Sequence, residues 1–335
     1  MTRQAGASHA IILKHWNELP PPLLILAAPR SFTSLVCAML GQHPQMYGLP
    51  ETHLLRFETM AERTEFDAQA TYPMSHGLLR AVAQLYFAEQ TAAAIRKARH
   101  WLSLRSQFTT DFMFRVLMDR VFPRIAVDKS PDMADHPGVL ERVFARFPQA
   151  RFIHLLRHPR GHAESVMKYL QVRANRGPVP PSHWLLRISS LPPPGPAADD
   201  SNEKPVLDPQ YGWHAINRTI SEFLSRVPPA QSMRVRGEDL LAEPDKVLTD
   251  VAAWLGLRTD SEALDRMKHP ECSPYAFPGP PGARYGNDNF FLENPVFRPR
   301  PAAEPLALDG PLGWRSDGAG FCPEVQLLAR EFGYK

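Results

Sequence analysis

Cysteine is scarce. Cys37, Cys272 and Cys322 stand far apart, with no CxxC pair and no histidine-rich neighbourhood. That pattern offers neither a disulfide framework nor a zinc site, and it is the usage expected of a chain kept in a reducing compartment. Long apolar runs are missing as well. The longest clean one, Leu23 to Ala28, falls far below the roughly 18 residues that a membrane span needs. The first residues lack the basic-then-apolar order of a secretory leader. Nor is there a surplus of one charge: 38 Lys and Arg face 35 Asp and Glu, a net of +3, so neither a bulk field nor a basic stripe argues for nucleic acid. No repeat of a solenoid or propeller is visible, and no motif calls for a metal. The expectation is a soluble, cytoplasmic protein.

What is present is enough apolar material for a substantial core, 44% of 335 residues, which points to one domain with insertions over 1–335. Three stretches join a short apolar run, a polar turn and helical spacing. They are "LLILAA" into "PRSFTS" and "LVCAMLGQ", "RFIHLL" into "RHPRGH" and "AESVMKYL", and "MRVRGEDLL" into "AEPDKVLTDVAAWLGL". In the last, Val247, Val251, Trp254 and Leu255 share a helical face. "RIAVDKSP" (Arg124 to Pro131) supplies a fourth strand. Units of this kind build an α/β fold with a parallel sheet covered by helices.

Three segments interrupt that pattern. Residues 54–122 read as a helical insertion, with Leu78, Leu79, Val82, Leu85 and Tyr86 at helical spacing and Ser75 as the cap, placed to roof a pocket. Residues 178–209 mix proline with acids over a length too great for an ordinary connector, and read as a disordered loop or a lid. Ser273 to Pro295 is also rich in proline and glycine, but its aromatics and Arg284 make it read as ordered.

The turn after the first strand carries the first chemical signal. A strand that ends in a polar turn and opens a helix aims unpaired backbone N–H groups at one point, which suits an oxyanion. Arg30 adds a bidentate grip, and Ser31, Thr33 and Ser34 add hydroxyl donors; the plain alternative is a capping Ser31 and a solvated Arg30. A Walker A loop would carry a second glycine and a lysine, and both are absent. The second unit repeats the theme: Arg157 closes its strand and Ser165 comes about two helical turns on. Two anion sites on neighbouring strand ends fit a nucleotide with phosphates at both ends of its ribose, unless Arg157 is an ordinary salt bridge.

Together, "PRSFTSLV", "DKSP", "LLRHPRGHAES" and "VRGEDLLAEPDKVLTDVAAWLGL" resemble the sulfotransferases that use 3′-phosphoadenosine 5′-phosphosulfate (PAPS), in order and spacing over roughly residues 22–295. The resemblance implies a P-loop-type parallel sheet. It also implies a 5′-phosphosulfate held by the loop Arg30, Ser31, Phe32, Thr33 and Ser34, and a 3′-phosphate held by Arg157 and Ser165. "GLPETHLLRFETMAER" (Gly48 to Arg63) looks like the segment after the first helix in polyketide-associated sulfotransferases, and is similar to the catalytic segment of tyrosylprotein sulfotransferases. That implies Glu51 as the base that takes the acceptor hydroxyl's proton, with His53 as the close second. The implied acceptor is a hydroxyl of a small molecule or of a carrier-bound acyl chain.

Lys129, after a buried-looking strand, brings an ammonium to the sheet edge where α/β ligands bind. There it would neutralise charge on the leaving group, with Arg30 on the other side; its plain alternative is a surface pair with Asp128 or Asp132. The glycine-flanked "GARYGND" offers Arg284, Gly286 and backbone N–H groups to close over the 3′-phosphate, or is a simple turn. Trp314 and Arg315 are weaker candidates. The sequence departs from the resemblance twice. Phe32 stands where the loop usually has glycine, with its ring expected to line the acceptor pocket. Gly237 stands where relatives have tyrosine, leaving Tyr285 or Phe290 to meet adenine. The competing functions are a P-loop nucleotide kinase, which would bind ATP and needs the absent lysine, and an adenosine bisphosphate-binding module without turnover.

Overall fold

The apolar run at Leu23 becomes the central strand β1 (Leu23–Leu26), buried along its whole length. Strands β3 (Ile125–Asp128) and β4 (Arg151–Leu156) flank it, and β2 (Met46–Gly48) and β5 (Ser232–Arg236) form the edges. This computed structural model describes residues 14–70, 74–135, 137–175, 177–180, 183–194, 207–300 and 306–335. The sheet order is β2-β3-β1-β4-β5, with every pairing parallel. Leu24 sits in register with Asp128 on one side, and Leu26 with His154 on the other.

Alternation along β1 divides the core. Leu23 and Ile25 face a cluster with Val36, Met39 and Val251, while Leu24 and Leu26 face a larger one with Leu78, Val116 and Trp213. This is the period of two that a strand imposes, and it explains why the strand is apolar throughout: both faces are covered by helices. The helices Thr33–Leu40, Pro244–Trp254 and Ser261–Met267 supply one layer, and Thr110–Val121, Pro209–Leu224 and Pro323–Glu331 belong to the other. Strand β2 has no sequence signature because three residues are too few to show a period. Its partner is Ile125 to Val127 of β3. Among the described residues, no helix is long and apolar enough to cross a membrane.

Between β2 and β3 the chain runs through four helices, Met60–Gln69, Ser75–Phe87, Ala92–Ser103 and Thr110–Val121. The first opens on a capping box in which the Thr59 hydroxyl and the Glu62 carboxylate exchange bonds with backbone N–H groups. Ser75 does not cap the second. It is the first helical residue, Met74 occupies the cap position without a side-chain bond, and the Ser75 N–H is taken instead by Asp67 at 3.0 Å. Of the 178–209 segment, the described part includes a short helix, Trp184–Ile188. Residues 181, 182 and 195–206, part of the expected loop or lid, lie outside the described residues. Trp314 and Arg315 are structural: both donate to the buried Asp208, at 2.9 and 2.8 Å, and tie the C-terminal segment to the start of helix Pro209–Leu224.

Three backbones converge beside the sheet edge. The Glu51 N–H donates to the Gly286 carbonyl at 2.7 Å. A Cβ on Gly77 would lie 1.9 Å from the Glu51 carbonyl oxygen, and one on Gly286, at φ 110°, would lie 2.6 Å from the Gly77 Cα. Helix propensity favours alanine at a mid-helix glycine by up to about 1 kcal/mol; here the neighbours are backbone atoms that cannot step aside, and overpacking costs about 1–3 kcal/mol. Gly77→Ala is therefore expected to lower stability in urea unfolding. A neutral or stabilising effect would show that this contact does not hold Glu51 in place.

Candidate active site

The turn after β1 carries two left-handed non-glycine residues, Arg30 at φ 67° and Phe32 at φ 64°. Such residues persist only where the surroundings fix them. Phe32 occupies the cap position of helix Thr33–Leu40 and has no side chain able to cap it, while the Ser31 hydroxyl, one residue earlier, is buried without a hydrogen-bond partner. The first turn of the helix is thus left without a side-chain cap, as an anion site requires. Arg30 forms an ion pair with Asp288, donates from Nε to Ser165 Oγ at 3.3 Å, and lies 5.3 and 5.0 Å from the rings of Tyr169 and Phe290.

Strand β4 ends by delivering Arg157 to the same place. Its Nη1 donates to the Arg30 carbonyl at 2.7 Å, and its guanidinium lies 4.4 Å from the Phe32 ring centre. Its own carbonyl accepts the Trp213 indole N–H at 2.8 Å. Burial pulls its pKa down to about 10, with Glu238 and Glu164 acting against that fall, so the group stays charged at neutral pH. Helix Pro159–Ala174 then carries Ser165 and, one turn on, Tyr169 toward Arg30.

Strand β3 delivers the other half. Lys129 is fully buried and donates to Ser34 Oγ at 2.7 Å and to Glu51 Oε1 at 2.5 Å. The alternative of a surface pair with Asp128 or Asp132 does not occur. Asp128 is occupied by the Thr52 hydroxyl at 2.8 Å and the Ser130 N–H at 3.0 Å; burial raises its pKa against those bonds. Asp132 serves His53, whose Nδ1 lies 2.9 Å from its carboxylate. His53 stands at φ 50° with its N–H on Ser130 Oγ, and its Nε2 is 3.9 Å from Glu51. Burial works against charge on His53, but Asp132 and Glu51 outweigh it and raise the pKa above the ordinary 6.5. Conversely, burial would raise Asp132, and His53 outweighs that and lowers it.

These groups border a cavity of about 330 Å³ whose walls include Arg30, Glu51, Arg157, Tyr169, Trp184 and Phe290. A second cavity of about 100 Å³ continues past Glu51 to His53, Phe66, Met74 and Asp132, with Glu51, Pro131 and Trp184 common to both. Arg30, Arg157, Arg300 and Asp288 line the larger space, Arg56, Arg187, Asp132 and Asp135 the smaller, and Glu51 stands at the junction. Among the described residues, no cluster of His, Cys, Asp or Glu could hold a metal ion.

Most of the expected site residues meet here: Arg30, Phe32, Thr33, Ser34, Glu51 and Arg157 on the cavity wall, Lys129 and His53 behind Glu51, Ser31 beneath the turn, and Ser165 on Arg30. Two do not. Arg284 is exposed and lies off the cavity wall; its carbonyl takes the Gly279 N–H at 2.8 Å, and its loop is held against helix Ala92–Ser103 by Arg99 on the Gly282 carbonyl. Gly286 packs on Gly77 and accepts from the Glu51 N–H. Phe32 turns toward Arg157 and Gly237, not toward the acceptor-side space. Of the two aromatics considered for adenine, Phe290 lines the cavity and Tyr285 stacks on His76. The sequence reading missed Asp288 and Arg300 on the wall, and Tyr169, which its spacing of one turn after Ser165 could have flagged.

Comparison with known proteins agrees with this geometry. The model of a family described as the sulfotransferase family matches residues 21–183. The sulfotransferase domain from the curacin biosynthetic pathway superposes with a TM-score of 0.65 at 24% identity, over 95% of this chain and 99% of that one. The sulfotransferase domain of the olefin synthase from Synechococcus PCC 7002 gives 0.67 at 24% identity, over 94% and 95%. No curated protein sequence matches. At these identities the two structures establish the shared fold, a parallel sheet of P-loop type between helices. The stretch matched by the sulfotransferase family model, residues 21–183, is just under half of the chain and carries Arg30, Glu51, Lys129, Arg157 and Ser165.

Proposed function

We propose that this protein transfers the sulfuryl group of PAPS to a hydroxyl of a small molecule or of an acyl chain on a carrier protein, with Glu51 as the base. The observation that carries the reading is the buried ammonium of Lys129, which bonds at once to Ser34 at the head of the anion-binding helix and to Glu51 at the mouth of the acceptor-side space. One cation thus joins the two halves of a transfer reaction. Likeness in fold to domains of the curacin pathway and of an olefin synthase favours an acceptor from secondary metabolism.

The residues fit the donor. The uncapped helix start, the partnerless Ser31 hydroxyl, Thr33 and Ser34 suit a 5′-phosphosulfate, and Arg157 with Ser165 suits a 3′-phosphate. Asp288 already neutralises part of Arg30 and would share it with the entering anion. PAPS, when bound, supplies an activated sulfuryl group. Transfer of this kind resembles phosphoryl transfer, where positioning and charge stabilisation do most of the work. Arg30 and Lys129 would stabilise the spreading negative charge from two sides, and Glu51 would hold the proton of the acceptor hydroxyl. Glu51 is favoured over His53 because it borders both cavities, whereas His53 borders only the smaller one and has Nδ1 on Asp132 and Nε2 toward Glu51.

Calorimetric titration with adenosine 3′,5′-bisphosphate, with ATP as control, tests the donor site. Tight binding of the bisphosphate, little of ATP and a loss of roughly 10- to 100-fold in Arg157→Ala are expected, from the 1.5–3 kcal/mol typical of a charged hydrogen bond. Folded protein that ignores the bisphosphate would end the reading. Glu51→Gln is expected to lower kcat by about 10²- to 10⁴-fold; a fall below tenfold would pass the base role to His53.

The His53–Asp132 pair gives a pH signature. A raised His53 pKa contributes stability that is full below 6.5 and lost as pH climbs through the raised value. A lowered Asp132 pKa contributes stability that is present above 3.8 and lost as pH falls through the lowered one. Asp132→Asn should therefore destabilise most between those limits, by about 3–5 kcal/mol for a broken buried pair. The gap from the parent should narrow in alkali, where His53 is neutral in both. Urea unfolding at about pH 6 and pH 9 reads this out, and a gap independent of pH would show that the two groups are not charge-coupled.

A further inference from the structure

The two departures from the sulfotransferase pattern, Phe32 and Gly237, prove to be neighbours. A Cβ on Gly237 would lie 2.3 Å from Phe32 Cδ2 and 2.8 Å from Cε2, closer than atoms can approach. Gly237 is the first residue of helix Gly237–Ala242 and has no left-handed backbone to explain a glycine; what it provides is room for the ring. Phe32 itself is held at φ 64° on the cavity wall, a conformation that a non-glycine residue keeps only when its surroundings dictate it.

The ring occupies that room directly against Arg157. The guanidinium lies 4.4 Å from the ring centre, within the range of a cation–π contact. On the side of its own helix, a Cβ on Gly161 would stand 3.4 Å from Arg157 Nε, ordinary contact distance, so the side chain runs between the aromatic face and the first turn of helix Pro159–Ala174. With Nη1 fixed on the Arg30 carbonyl, the guanidinium is left little freedom.

We propose that Phe32 is the positioning residue for Arg157, that Gly237 is glycine to admit its ring, and that the pair sets the preference of this site for a nucleotide bearing a 3′-phosphate. The proposal rests on the reading of Arg157 as the 3′-phosphate contact. It makes two remote substitutions one device. This chain brings the ring from the turn after β1, and the arginine gains a rigid face to lie on.

The test is the ratio of affinities for adenosine 3′,5′-bisphosphate and adenosine 5′-phosphate, measured by calorimetry on the full chain. Phe32→Leu keeps apolar bulk and removes the aromatic face. It is expected to lower the ratio on the order of tenfold, the scale of a desolvated cation–π contact; any effect on the 5′-phosphate turn falls on both nucleotides and cancels in the ratio. Gly237→Ala, which displaces the ring, should lower the ratio too. A merely structural role would weaken both nucleotides together and leave the ratio unchanged. If the parent protein shows no preference for the bisphosphate, the donor-site reading falls and this inference with it. If the parent shows the preference and folded Phe32→Leu retains it, the inference alone is overturned. Should Phe32→Leu fail to fold, Gly237→Ala decides by the same ratio, an unchanged value overturning the proposal.

Discussion

The site depends on a charge kept out of water. Lys129 is wholly buried, and an isolated ammonium there would carry a large desolvation cost. It is tolerable because Glu51 lies 2.5 Å away and Ser34 2.7 Å away. The three groups come from three parts of the chain: Lys129 from the end of β3, Glu51 from the segment after β2, and Ser34 from the start of the helix after β1. Breaking a buried pair leaves an uncompensated charge, a larger penalty than the pair's net stabilisation. The convergence of Gly77, Gly286 and Glu51 is a consequence, since the carboxylate can serve Lys129 only if its backbone is held close to the sheet edge.

Much of this scaffold was legible in the sequence, for physical reasons. Strands β1, β3 and β4 announce themselves because a strand covered on both faces must be apolar, and a polar turn comes next; the edge strand β5, SMRVR, is legible from the helical spacing that follows it. Strand β2 is silent because three residues carry no period. Arg30, Glu51, Lys129, Arg157 and Ser165 could be named from their places after strands and from a family resemblance. Their mutual bonds could not, because a contact between residues 51 and 129 has no local signal.

The misreadings share a cause. Gly286 suggested a phosphate loop because glycine beside an arginine resembles one, yet its smallness serves a backbone contact with Gly77. Phe32 and Gly237 look like two unrelated losses along the sequence and are one steric exchange in space. Ser75 looked like a cap, but it is the first helical residue and its N–H donates to Asp67 of the preceding helix. In each case a residue was judged against its sequence neighbours, and its tertiary neighbour decided its role. Arg300 and Asp288 are the converse: they sit in proline- and glycine-rich sequence with no period, and only the fold returns them to the cavity.

The distribution of charge across the cavity bears on the proposed chemistry. Arg30, Arg157 and Arg300 border the larger space with Asp288, while Asp132, Asp135 and His53 border the smaller with Arg56 and Arg187. Glu51 and Lys129 lie where the two meet. To take a proton, Glu51 must give up its ion pair with Lys129, which is a cost to the proposed reaction. The same event brings a compensating gain. In the proposed reaction, once Glu51 carried the acceptor's proton, Lys129 would lose its anionic partner and keep the neutral Ser34 hydroxyl, so its charge would become available toward the donor loop. The proton's arrival on one side of the site would thus strengthen the field on the other, where negative charge must be stabilised. A surface lysine could not do this, because water would screen the change; the depth at which Lys129 is buried is what lets the two halves of the site respond to each other.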